Sequence, residues 1–119
     1  MNAISPPSEI DSGLPYLPVF LGMRGCTAVL IGGAAALPKL MLLRRTGAQV
    51  RLVAQEMDDR MADAIAGDCM IMHINAPLAA HHFDDVVVAI AASGDEAINR
   101  CSVSMARTAG VPINVVDRH

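Results

Sequence analysis

Two adjacent glycines, Gly32 and Gly33, separate a strand-length apolar run, TAVLI at 27–31, from a helix-like run that reaches Arg45. A bend of this kind can hold phosphate. The first N–H groups of a helix have no partner within it, and the helix dipole favours an anion there. In the dinucleotide fingerprint G-x-G-x-x-G/A the first glycine makes the tight turn. The second lets pyrophosphate approach the backbone, and the third, small residue lets helix and strand pack closely. Two registers fit the bend. Starting at Ile31, Gly33 is the second glycine, Ala36 is the small third residue, and Ile31 stands where the first glycine belongs. Starting at Gly32, the second glycine is missing and Leu37 fills the third position. The first register keeps the glycine most needed for phosphate approach and is preferred. In it, Gly33, Ala34 and Ala35 would cradle the diphosphate. An acid usually follows about 20 residues later to bind a ribose hydroxyl. Here the second strand runs into Val53-Ala54-Gln55-Glu56, so Gln55 or Glu56 would take that role from a less ideal place. On the motif alone, a packing role for the turn stands beside dinucleotide binding.

The remaining reactive residue types form no competing site. His81-His82 lies with Asp84 and Asp85 in the segment PLAAHHFDD, which reads as a solvated loop, and no metal is expected there. Neighbouring histidines diverge and seldom chelate one ion. His73 alternates with Met70 and Met72 and reads as a partly buried strand residue. Ser93, Ser102 and Ser104 lack the G-x-S-x-G context of a hydrolase. Cys26, Cys69 and Cys101 are odd in number and form no C-x-x-C, so they read as small core residues. The methionines read as soft core filling. Asp117 ends the last apolar run and is a helix cap, a solvated strand end or an acid–base group.

The elements that would position these residues alternate along the chain. Strands are expected at 27–31, 50–54, 70–74, 86–91 and 111–116, each short and apolar. Helices are expected at 34–45, 57–66 and 95–108, with Gly47, Gly67 and Gly110 just past their ends. Leu40, Leu42 and Leu43 supply the first helix's apolar face, and Ile98, Cys101 and Met105 form the stripe of the last. Pro38 falls in the first turn, where its missing N–H costs little. Strand–helix alternation with short connections predicts an α/β fold. The expected form is a Rossmann-like doubly wound parallel sheet of about five strands, order 3-2-1-4-5. A ligand crevice is then expected between the first and fourth strands, where the order reverses. Residues 1–15 read as a flexible lead-in, and 16–119 as one domain with a short extended segment at YLPVFLGMRG.

Bulk properties narrow the class. With 119 residues, 53% of them hydrophobic and 3% aromatic, the chain can bury one core built from aliphatic side chains. A formal charge of −3 and no basic tract beyond Arg44-Arg45 argue against nucleic acid as a partner. No apolar run reaches the ~18 residues of a membrane span. The N-terminus lacks the pattern of a secretory signal, so the expected location is cytoplasmic.

The segments LPVFLGMRG, VLIGGAAALPK, LLRRTGAQVRLVA, VVVAIAASGDEAIN and VPINVVD occur in order. Together they resemble the N-terminal NAD-binding domain of siroheme synthase, in the precorrin-2 dehydrogenase/sirohydrochlorin ferrochelatase family. The likeness covers roughly Leu17 to Asp117. The family's turn is V-G-G-G-x-V-A-x-R-K; Gly32, Gly33, Ala36 and Lys39 match it, and Ile31, Ala35, Leu37 and Pro38 depart. The resemblance implies NAD as cofactor, held by Gly32, Gly33, Ala34 and Ala35, by Gln55 and Glu56, and around Ser93. It implies a tetrapyrrole substrate, oxidised from precorrin-2 to sirohydrochlorin, with iron insertion in many members. It carries the family's catalytic aspartate, which closes N-V-V-D, onto Asp117. Family members continue into a dimerisation domain, whereas this sequence ends at His119, so homodimer formation stays open. The altered turn keeps a second expectation alive: a non-catalytic homologue that retains the shell and binds nucleotide or a protein.

Overall fold

The computed structural model describes residues 24 to 116. The expected lead-in, nearly all of the YLPVFLGMRG segment, and Asp117 lie outside the described residues. The sheet has five parallel strands: β1 (Thr27–Ile31), β2 (Gln49–Val53), β3 (Ile71–Ile74), β4 (Val88–Ala91) and β5 (Ile113–Val115). Their order is β3-β2-β1-β4-β5, as the alternation predicts. Among the described residues, three α-helices join β1 to β2, β2 to β3 and β4 to β5: α1 (Leu37–Arg45), α2 (Asp59–Ile65) and α3 (Glu96–Ala109).

Both faces of the central strands are covered, which is why those strands read as continuous apolar runs. Ala28, Leu30, Val50 and Leu52 pack with Leu40 and Leu43 of α1 and Met61 of α2. Val29, Ile31, Val53 and Ala89 pack on the opposite face with Phe83 and with Ala106 of α3. Regular strand structure is shorter than the apolar runs at β4 and β5. Val111-Pro112 precedes β5, and the Pro112 carbonyl still accepts from the Ala89 N–H at 2.9 Å. Proline can accept in a ladder but not donate.

The helix ends follow their caps. Pro38 sits in the first turn of α1. The Thr46 hydroxyl donates to the Leu43 carbonyl at 2.6 Å, and Gly47 follows at φ 79°. Asp58 opens α2 by accepting the Met61 N–H, and Asp95 opens α3 by accepting from Ala97 and Ile98. Carboxylates there also meet the positive end of the helix dipole. Gly110 closes α3 in the left-handed conformation at φ 74°.

Several expectations need correction. The buried face of α3 centres on Ser102 and Ala106, four residues apart; of the expected stripe only Met105 packs against that core, and Ile98 and Cys101 do not. Ile98 is 41% exposed and Cys101 is exposed. Ser102 is tolerated in the core because its hydroxyl donates to the Ile98 carbonyl at 2.8 Å. Cys69 and Cys101 are exposed and not core residues, whereas Cys26 is half-buried and packs against the core. Met61 is fully buried, but Met41, Met70 and Met72 are exposed. Met72 stands on edge strand β3, in register with Arg51 of β2.

The β3–β4 crossover explains that exposure. It contains only a single 3-10 turn, Ala80–Phe83, where a helix would cover the outer part of the sheet. The Arg51 guanidinium fastens this turn by donating to the carbonyls of His82 at 3.0 Å and Asp84 at 2.6 Å. The expected solvated loop is therefore wrong at His82, which is buried beside Phe83. Its Nδ1 accepts the Ala79 N–H at 3.0 Å, which requires that nitrogen to be unprotonated. Burial holds the His82 pKa below the usual histidine value of 6.5, and the charges of His81 and Arg51 push it the same way. The unfolded chain therefore takes up a proton on His82 before the folded one does. Stability should fall as pH drops below about 6.5, and keep falling until the folded histidine itself protonates. Urea midpoints measured between about pH 7.5 and 5.5 should decline for the wild type and decline less for His82→Gln. Equal slopes for the two proteins would remove His82 as the cause.

Candidate functional site

A crevice of about 990 Å³ opens past the C-terminal ends of β1, β2 and β4, where the strand order reverses. That is at the upper end of the roughly 300–1,000 Å³ typical of small-molecule sites. Six of the seven expected cofactor-binding residues line it: Gly32, Gly33, Ala35, Gln55, Glu56 and Ser93. Ala34 begins the 3-10 turn Ala34–Ala36, between Gly33 and Ala35. Local alternation thus brings the ends of β1, β2 and β4 to one wall although they are distant in sequence.

The bend itself departs from the preferred register. Ile31 is the last residue of β1, and its side chain is 2% exposed, packed with Val29, Val53 and Phe83. It belongs to the wall beneath the crevice and does not make the turn. Gly32 does: it has φ 142°, and its N–H donates to the Val53 carbonyl at 3.0 Å. A Cβ there would lie 2.5 Å from the Ala92 carbonyl oxygen. Gly33 is required for a different close approach, since a Cβ would lie 2.5 Å from the Glu56 carbonyl oxygen. Ala36 is fully buried against the strands, as the small third position demands. Gly32 makes the turn, Gly33 lies against the Glu56 carbonyl, and Ala36 is the small residue at the helix–strand contact. Packing alone already requires both glycines.

The turn also sets the donors. The Ala36 N–H is taken by the Gly33 carbonyl at 2.8 Å, the N–H groups ahead of it come too early for an intrahelical partner, and Ala35 is exposed on the crevice wall. The crevice is lined by the carboxylates Glu56, Asp58 and Asp95 and, among the described residues, by no lysine or arginine. Asp58 and Asp95 are engaged as helix caps, which leaves Glu56 as the acid without a cap to hold. An anion in this crevice would thus be held by backbone N–H groups rather than by side-chain cations.

Sequence reasoning missed part of the wall. Pro77 and Leu78 come from the loop after β3, and Ile98 and Cys101 from the exposed side of α3. The three-residue spacing of Ile98 and Cys101 was a usable signal, because such a pair shares a helix face. It pointed to an apolar face, and that face meets the crevice instead of the core. At the far side, the Val116 N–H donates to the Ala91 carbonyl at 2.8 Å, so the chain still follows the end of β4 one residue before Asp117. No group of three or more metal-ligating side chains occurs among the described residues. No helix among them is long and apolar enough to cross a membrane.

Comparison with known proteins adds three findings. The family model described as "Putative NAD(P)-binding" matches residues 19–119. The siroheme synthase of Nitrosomonas europaea is 33% identical over 105 residues, which cover 87% of this chain and 22% of that protein. The siroheme synthase of Neisseria meningitidis serogroup C is 36% identical over 103 residues, 86% of this chain and 21% of that protein. The chain therefore spans about a fifth of the length of these curated relatives. Among solved structures, SirC, a precorrin-2 dehydrogenase, superposes with a TM-score of 0.66 at 14% identity, over 83% of this chain and 50% of that one. At that identity the likeness concerns the fold.

Proposed function

This chain belongs to the NAD(P)-binding family whose model spans residues 19–119, and from that premise we propose that it is an NAD-dependent dehydrogenase domain of siroheme biosynthesis, oxidising precorrin-2 to sirohydrochlorin. One observation carries the reading. Residues from the ends of three strands, Gly32, Gly33, Ala35, Gln55, Glu56 and Ser93, line a single crevice at the switch point of the sheet.

The chain's residues divide the work of binding. N–H groups of the turn after Gly32 would hold the diphosphate, with the helix dipole behind them. Gln55 and Glu56, after β2, would accept hydrogen bonds from the adenosine ribose. Ser93 would meet the other half of the dinucleotide, after β4. NAD, when bound, supplies the hydride acceptor. Oxidation of the tetrapyrrole releases a proton along with the hydride, and we assign its acceptance to Asp117.

The same wall should select between cofactors. A 2′-phosphate would meet Glu56 and would find no cation in the crevice lining among the described residues. NAD should therefore raise the melting temperature more than NADP at equal concentration, because only ligand affinity for the folded state stabilises it. Equal or larger shifts with NADP would overturn the assignment of Glu56. No shift with either cofactor at millimolar concentration would instead favour a non-catalytic homologue.

A further inference from the structure

Ser93 is held from one side by the start of α3. The Asp95 N–H donates to Ser93 Oγ at 3.0 Å. Ser93 Oγ in turn lies 2.7 Å from Asn99 Oδ1, and 3.1 Å from the Asp95 carbonyl oxygen. A hydroxyl has one proton and two acceptor sites. The shorter contact takes the proton to Asn99, and the Asp95 N–H occupies one acceptor site. One acceptor site is left for the crevice that Ser93 lines.

Asn99 is not itself part of the crevice lining. It is half-buried in the first turns of α3, a setting where asparagine weakens a helix relative to alanine. Its side chain reaches back six residues to a single hydroxyl. We propose that Asn99 is a positioning residue: by taking the Ser93 proton it presents Ser93 to the cofactor as a hydrogen-bond acceptor. The inference rests on the dinucleotide reading above. With the diphosphate over the turn after β1 and the adenosine over the end of β2, Ser93 faces the half beyond the diphosphate. The ribose hydroxyls and the carboxamide NH2 of that half are its donors. ADP lacks that half, and its phosphate oxygens offer no donor to Ser93.

The test is a double-substitution cycle read by calorimetric titration with NAD and with ADP. Ser93→Ala and Asn99→Ala should each weaken NAD binding about 5-fold, the loss of one net hydrogen bond. The double variant should bind NAD no more weakly than Ser93→Ala, because Asn99 acts only through the hydroxyl. ADP affinity should stay at the wild-type value throughout. Asn99→Ser, too short to reach Ser93, should repeat the Asn99→Ala result. Additive losses, a parallel loss of ADP binding, or unchanged NAD affinity in Asn99→Ala would each overturn the proposal. A wild-type protein that binds ADP but not NAD, or neither, overturns the dinucleotide reading and this inference with it. A wild type that binds both, with variants that do not change, leaves that reading intact and overturns only the role of Asn99.

Discussion

Gly32→Ala should cost about 3 kcal/mol or more of folding stability, among the largest effects of any single methyl group added to this chain. Two costs combine. Residue 32 has φ 142°, where an L-residue is strained by roughly 1–3 kcal/mol. The added Cβ would also lie 2.5 Å from the Ala92 carbonyl oxygen, 2.7 Å from its carbon and 3.0 Å from Ser93 Cα. All three are backbone atoms, so no rotamer change relieves the overlap. The chain next to β4 would have to move, and it is held there by the bond from the Ala92 N–H to the Ile31 carbonyl at 2.8 Å. Marginally stable domains hold only about 5–15 kcal/mol in total, so a large fraction of the stability is at stake. Urea denaturation followed by circular dichroism measures it. A midpoint within error of the wild type would show that the bend tolerates a side chain, and the fingerprint role assigned to Gly32 would fail.

On the proposed function, Asp117→Asn should lower the rate of precorrin-2 oxidation by about 10²- to 10⁴-fold, the usual contribution of a positioned acid–base group. The physical reason lies in the balance of the reaction. A hydride leaves to NAD and a proton must leave to something else; asparagine has nearly the same shape as aspartate but no basic oxygen. NAD affinity should be unchanged, since the residues proposed to bind it belong to the turn after β1 and the ends of β2 and β4. NADH formation under single-turnover conditions measures the rate, and titration measures the affinity. Unchanged turnover would remove Asp117 from the chemistry, and a parallel loss of NAD affinity would make it a binding residue.

Much of the architecture was legible beforehand because its signals are local. Five short apolar runs alternating with helical periods predict a doubly wound sheet, and the observed order β3-β2-β1-β4-β5 is the predicted one. The turn after TAVLI, the pair Gln55-Glu56 and Ser93 all sit just past strands, so the sheet carries them to one edge. Asp117, expected on the same logic, lies outside the described residues.

What local patterns could not supply were distances between remote segments. Periodicity identifies an apolar face without saying which surface it meets, so Ile98 and Cys101 line the crevice while Ser102 and Ala106 enter the core. The fingerprint marks where glycines belong by counting, yet Gly32 is required by Ala92, some 60 positions on, and Gly33 by Glu56. His82 reads as solvated from its polar neighbours and is buried because Arg51 pulls its turn against the sheet. The chain's own order thus determined which elements form and which strand ends converge. Tertiary packing decided which atoms touch, because steric exclusion and hydrogen-bond geometry act over ångströms and are blind to separation along the sequence.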